Sequence, residues 1–159
     1  MALDQITVDR IQLLHPSIRK EALEMYTHAN EKLLGKHVRL RFSHTLRTIH
    51  EQNDLYALGR TKPGNIVTNA KGGQSFHNFG LAIDIVLLYD KDKNGTFETA
   101  SWELNNDFLA VVQYFKNCGW FWGGNFKSFK DYPHFEKTFG FTTKQLIERT
   151  KNGDYPILT

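Results

Sequence analysis

The stretch SFHNFGLAIDIVL, residues 75–87, sets His77 seven residues ahead of Asp84, with Gly80 between them and an apolar run around the acid. Imidazole and carboxylate are the donors that hold a catalytic metal where cysteines are scarce. They are also the members of an ordinary structural hydrogen-bond pair. If residues 81–89 form a strand, its period of two sends Leu81, Ile83, Ile85 and Leu87 to one face and Ala82, Asp84 and Val86 to the other. A carboxylate desolvated there without a partner costs several kcal/mol. Asp84 therefore needs a cation, a donor network or a metal. Ala82 leaves room beside it, and Gly80 permits a turn that brings His77 back over the strand.

A catalytic zinc takes three protein ligands and keeps one position open, so a third donor is required. The chain has seven histidines and a single cysteine, Cys118. His50-Glu51 is followed by Gln52, Asn53 and Asp54, so the helical motif HExxH is absent. His15, His28 and His37 read as surface residues, and His44 and His50 as groups flanking Arg47. His134 in KDYPHFE lies in a short aromatic segment with carboxylates on both sides. Asp131, three residues earlier, would face away from it on a regular strand. Pro133 restricts the backbone there and allows a bend that presents both. A carboxylate beside a metal site is what metal-assisted hydrolysis uses as base and then proton donor. On spacing alone, an aspartate in solvent at a strand end fits better.

The elements that must position these groups are legible in outline. HPSIRKEALEMYTHANEKLLGK, residues 15–36, reads as a helix with Ile18, Ala22, Met25, Ala29 and Leu33 inward and Gly35 at its end. HVRLRFS alternates as a half-buried strand, and residues 45–60 read as a shorter helix ending near Gly59. Residues 61–75 form a glycine-punctuated loop, 81–89 a strand and 90–101 a polar loop. Residues 103–119 form a helix with Phe108, Val111, Val112 and Phe115 inward. Short strands lie at WFWGG and YPHFE, and a threonine-capped helix spans 142–153. Helices and strands mix without βαβ alternation, which predicts an α+β fold with a small, largely antiparallel sheet and flanking helices.

Bulk properties narrow the function. The chain's 159 residues suit one domain, and 40% hydrophobic against 23% charged residues is a globular composition. One cysteine excludes an intrachain disulfide and a cysteine-based zinc knuckle. The net charge of +3 comes from scattered basic residues, with no nucleic-acid motif. No secretory signal is evident, and no stretch approaches the roughly 18 apolar residues of a membrane span. A protein made in the cytoplasm, without membrane insertion, is expected.

The loop DKDKNGTFETAS sets Asp90, Asp92, Asn94, Thr96 and Glu98 at the odd positions of an EF-hand loop, with Gly95 sixth. The twelfth residue is Ser101 and no flanking helix pair is evident. Calcium binding and a plain polar turn are equally compatible with it.

S-F-H-N-F-G-L-A-I-D, followed by D-Y-P-H, resembles the zinc peptidases of the VanY/VanX type, which share the Hedgehog fold. The nearest likeness is to L-alanyl-D-glutamate endopeptidases of phage endolysins and bacterial wall hydrolases. TLRTIHEQNDLYALGRT and GWFWGGNFKSFKDYPHFE extend it from about Phe42 to Phe135, in family order. The resemblance implies that His77, Asp84 and His134 bind zinc, that Asp131 is the general base and that Arg47 steadies the developing oxyanion. It places Ser75 near the substrate, with Trp122, Arg60 and Gln52 as further substrate-side residues. Trp120, Trp122 and Phe126 are candidate walls of a cleft, although aromatics at strand spacing more often belong to a core. Many relatives carry glutamate in place of Asp131, and Glu136 is the alternative base. The implied activity is cleavage of the L-Ala–D-Glu bond of peptidoglycan by a single catalytic domain, residues 1–159, without a wall-binding module. A phage lysin of this type would be a monomer held in the host cytoplasm until a holin-type pore opens. A D,D-carboxypeptidase or dipeptidase, or a non-catalytic metal-binding module, would use the same scaffold.

Overall fold

The computed structural model describes residues 3–151. Helices α1 (Gln5–Gln12), α2 (Arg19–His28), α3 (Ile49–Ala57), α4 (Asn106–Asn117) and α5 (Thr143–Arg149) flank a sheet. Its strands are β1 (Val38–His44), β2 (Ala82–Tyr89), β3 (Thr99–Ser101), β4 (Phe121–Trp122) and β5 (His134–Glu136). The sheet runs β1-β2-β5-β4, with β3 also paired to β2, and every pairing is antiparallel. This is the α+β architecture expected from the sequence.

Strand β2 is the axis. Leu81, Ile83, Ile85 and Leu87 are buried in the main core with Leu40 and Phe42 of β1, Phe108, Val111 and Phe115 of α4, and Phe135 of β5. The alternation thus gives the correct phase for β2, and Asp84 lies on the opposite face. On one side Asp84 stands opposite His44, beyond an irregularity between Phe42 and His44. On the other it stands opposite His134. Opposed Cβ atoms in an antiparallel pair lie about 5 Å apart, so this register alone brings Asp84 and His134 together.

Some elements differ from the sequence reading, each for a local reason. The 15–36 helix is divided: a 3-10 turn at Pro16–Ile18, α2, then a π-helical turn at Ala29–Leu33. There Asn30 turns inward and hydrogen-bonds both ways with the Leu40 backbone. Helix α1 was not expected. Its Thr7 is buried and accepts from the Phe42 amide, docking the helix on β1. Helix α3 starts at Ile49 rather than residue 45, because the Arg47 amide donates to the His77 carbonyl and Thr48 forms a capping box with Glu51. Residues 99–101 of the 90–101 loop form β3. His15, read as a surface residue, is buried, and its amide donates to the Gly80 carbonyl. Gly80 itself is left-handed at φ 68°, and an added Cβ would lie 2.6 Å from the His15 nitrogen. Trp120, a candidate cleft wall, is a core residue whose indole donates to Glu21. The last two residues of the helix read over 142–153 lie outside the described residues.

Candidate metal centre and cleft

Ser75 caps a 3-10 turn, Phe76–Phe79, by accepting from the His77 amide, while Asn78 closes the reciprocal bond. This turn, ended by Gly80, hangs His77 over the start of β2. The imidazole is buried, and its Nδ1 lies 2.7 Å from the Thr45 carbonyl oxygen. A carbonyl only accepts, so Nδ1 carries the proton and Nε2 presents a lone pair. That lone pair faces Asp84 Oδ1 at 3.0 Å.

His134 mirrors this arrangement. Its Nε2 lies 2.7 Å from Glu136 Oε1, so Nε2 carries the proton and donates it in a hydrogen bond to that carboxylate, which leaves Nδ1 as the inward acceptor. His134 Nδ1 is 3.2 Å from Asp84 Oδ1 and 3.2 Å from His77 Nε2. Three acceptors therefore form a triangle with sides of 3.0, 3.2 and 3.2 Å. Ligands about 2.05 Å from a tetrahedral ion are separated by about 3.3 Å. The donor set and spacing fit a metal of the zinc class. Among the described residues, His77, Asp84 and His134 are the group that could hold one.

The electrostatics carry the same demand for positive charge. Burial alone would raise the Asp84 carboxyl, but the charges and hydrogen bonds of His77 and His134 hold it well below the usual carboxylate range. Burial alone would lower His134; bonds to Asp84 and Glu136 instead push it up to about 10. Without an ion, a proton fills the gap between these groups. Arg47 adds a second cation, its Nη2 at 3.6 Å from Asp84 Oδ2.

Asp131 is brought in by a turn. The His134 amide donates to the Asp131 carbonyl and the Asp131 amide to the Gly123 carbonyl, folding residues 131–134 back on themselves. Gly123 is required because a Cβ would collide with the Asp131 carbonyl. Asp131 Oδ2 thus comes to 4.0 Å from His134 Nδ1, on the same side, where strand alternation would have placed it opposite. Burial and the Asp84 charge raise its carboxyl above the ordinary value, against His134, His77 and Arg47, which lower it.

These groups open into a cleft of about 740 Å³. Arg47, Ser75, His77, Asp84, Asp131 and His134 all line it, as does Phe126, whose ring centroid is 5.6 Å from that of His134. Glu136 lines it too, whereas Gln52, Arg60 and Trp122, also named from the sequence, stand apart from the cleft lining. Gln52 is fully buried behind the site, where it accepts from Arg47 and donates to the Ala70 carbonyl. Arg60 is exposed, bonded to the Tyr56 and Thr68 carbonyls and lying over the Tyr56 ring. Trp122 packs beside Tyr132 and donates to its carbonyl. Glu136 is spent on His134, a role its even spacing from that residue on one strand could have signalled. The Thr45 carbonyl, a backbone group, had no such signal. In the 90–98 loop, Asp90 accepts from the Asn94 and Gly95 amides, Asp92 from Asn94, and Asn94 from Thr96. Its carboxylates do not gather as the triad does.

Comparison with known proteins places this geometry. Residues 68–137 match the D-alanyl-D-alanine carboxypeptidase family, a span that includes all three acceptors and Asp131. Over 134 residues the chain is 40% identical to the peptidoglycan L-alanyl-D-glutamate endopeptidase CwlK of Bacillus subtilis (strain 168), covering 77% of this chain and 72% of that protein. The chain belongs to the VanY-type peptidase family. As a VanY-type peptidase it is a hydrolase of the metal-dependent kind, and the triad is its candidate metal centre. The VanY-type fold is also that of the Serratia marcescens L-Ala D-Glu endopeptidase ChiX, with a TM-score of 0.55 at 23% identity over 87% of this chain and 91% of that one.

Proposed function

We propose that this peptidase is a zinc endopeptidase that cuts the L-alanyl–D-glutamate bond of peptidoglycan stem peptides. The observation that carries the reading is the convergence of three lone-pair donors on one point, with Asp131 and Arg47 on the same cleft. The substrate follows from the 40% identical relative. His77, Asp84 and His134 would hold the ion, which supplies a Lewis acid and brings a water's pKa toward neutrality. Asp131 accepts the proton of the attacking water and returns it to the leaving amine. Arg47, held by Gln52, faces the oxygen on which negative charge develops. Thr45 and Glu136 fix the tautomers of the two histidines. Ser75 holds the turn that carries His77 at the cleft wall. This reading assigns no ion to the 90–98 loop.

Digestion of purified cell wall, read by mass spectrometry, tests the bond. New amino-terminal D-glutamate, abolished by a chelator and restored by zinc, is the expected result. Release of terminal D-alanine would instead favour a D,D-carboxypeptidase, the activity in the name of the matching family. Within this proposal the chain is a phage lysin. Expression in bacteria should then cause lysis only when a membrane pore is coexpressed, and lysis without one would remove that role.

Glu136 gives a graded prediction. Glu136→Gln keeps the shape but weakens the grip on His134 Nε2. Zinc affinity, measured by chelator competition, should fall about 10- to 100-fold, with activity recovered at excess zinc. Unchanged affinity would show that the tautomer of His134 is set by other means.

A further inference from the structure

We infer that Lys127 reads the free α-carboxylate of the substrate's D-glutamate; the inference rests on the proposed activity and extends it to specificity. A D-glutamate whose nitrogen is acylated still carries two carboxyls, and a chain that continues through the side-chain carboxyl leaves the other as a free anion. That anion sits on the carbon bearing the scissile nitrogen. Asp131 returns its proton to this nitrogen, so the D-glutamate lies on the Asp131 side of the cleft. The segment leading into Asp131 also lines the cleft there, with Phe126, Lys127, Ser128 and Phe129.

Among the lysines and arginines of the cleft lining, Arg47 and Lys127 are the two present. Arg47 is already engaged by Asp84 and Gln52. Lys127 is exposed and makes no hydrogen bond or ion pair among the described residues. The neighbouring lysine behaves differently: Lys130 Nζ donates to the Gly124 and Phe126 carbonyls and holds the loop in shape. One lysine thus braces the loop, while the other leaves an unspent ammonium beside the leaving group. Two cations divide two negative charges: Arg47 the transient one on the carbonyl oxygen, Lys127 the permanent one on the substrate.

The test uses the zinc-loaded enzyme and two peptides, N-acetyl-L-alanyl-D-glutamate with only the γ-carboxyl amidated, and the same peptide with both carboxyls amidated. Lys127→Met should lower kcat/KM on the α-carboxylate peptide about threefold to tenfold, the range from an exposed ion pair to a charge-assisted hydrogen bond. It should leave the diamide rate unchanged. Lys127→Arg should keep most of the preference, and raised salt should narrow it in the wild type but not in Lys127→Met. An equal fall on both peptides, or no fall on either, overturns the inference while the proposed activity stands. A wild-type enzyme that cuts neither peptide nor any L-alanyl–D-glutamate bond in whole wall overturns both.

Discussion

An Asp84→Asn variant loses L-alanyl–D-glutamate hydrolysis by about a thousandfold or more while keeping its fold. The change is nearly isosteric and leaves the backbone pairing of β2 with β1 and β5 untouched. What disappears is the one formal negative charge at the apex of the triangle, the group to which both histidine nitrogens are drawn. An asparagine oxygen is a poor ligand for an ion of the zinc class. Its NH2 group would also turn a donor toward two imidazole lone pairs. A catalytic metal stabilises the transition state by several kcal/mol, and each 1.4 kcal/mol is tenfold in rate. Elemental analysis should find the variant nearly metal-free, and circular dichroism should find its secondary structure intact. A folded variant that keeps stoichiometric zinc and full turnover would remove Asp84 from the centre.

How much of this site could be read from the sequence depends on what each residue needed. Asp84 was legible because a carboxylate in an apolar strand demands a partner whatever the tertiary structure. The phase of β2 was legible because its core face is continuous, from Leu81 to Leu87. Arg47 was reached through the family motif. Its position depends on the long-range bond from its amide to the His77 carbonyl, which also cancels the first turn of the expected helix. Gln52 and Arg60 lie in the same motif but not on the cleft: one supports Arg47 from behind, the other braces its own loop. Motif membership thus marks residues the site depends on, without separating those that meet substrate from those that hold the residues that do. Helix α1 went unread because it is only eight residues long and one of its two buried residues is a threonine, whose hydroxyl docks it on β1. His15 was misread for a related reason: its burial comes from the approach of Gly80, sixty-five residues away in the chain.

Asp131 shows the limit of spacing arguments most clearly. A three-residue separation on a strand puts two side chains on opposite faces, yet the turn closed by the His134 amide puts them on one. Asp131→Asn should reduce kcat by about a hundredfold to ten-thousandfold, the usual contribution of a general acid–base group. Zinc content should stay at the wild-type level, because Asp131 is not one of the three converging donors and its Oδ2 stands 4.0 Å from His134 Nδ1. That split distinguishes it from Asp84→Asn, which loses ion and rate together. The pH profile carries a further signature. The base must be ionised to accept a proton; in the metal-free site burial and the Asp84 charge raise its carboxyl above the ordinary value, and a bound dication offsets that charge. The wild type therefore loses rate as acidification protonates the base, and Asp131→Asn should lack that acidic limb at its residual rate. Asp131→Glu restores a carboxylate one methylene longer and should recover most of the turnover with the limb returned. If Asp131→Asn keeps wild-type kcat and its acidic limb, proton transfer belongs to another group on the cleft.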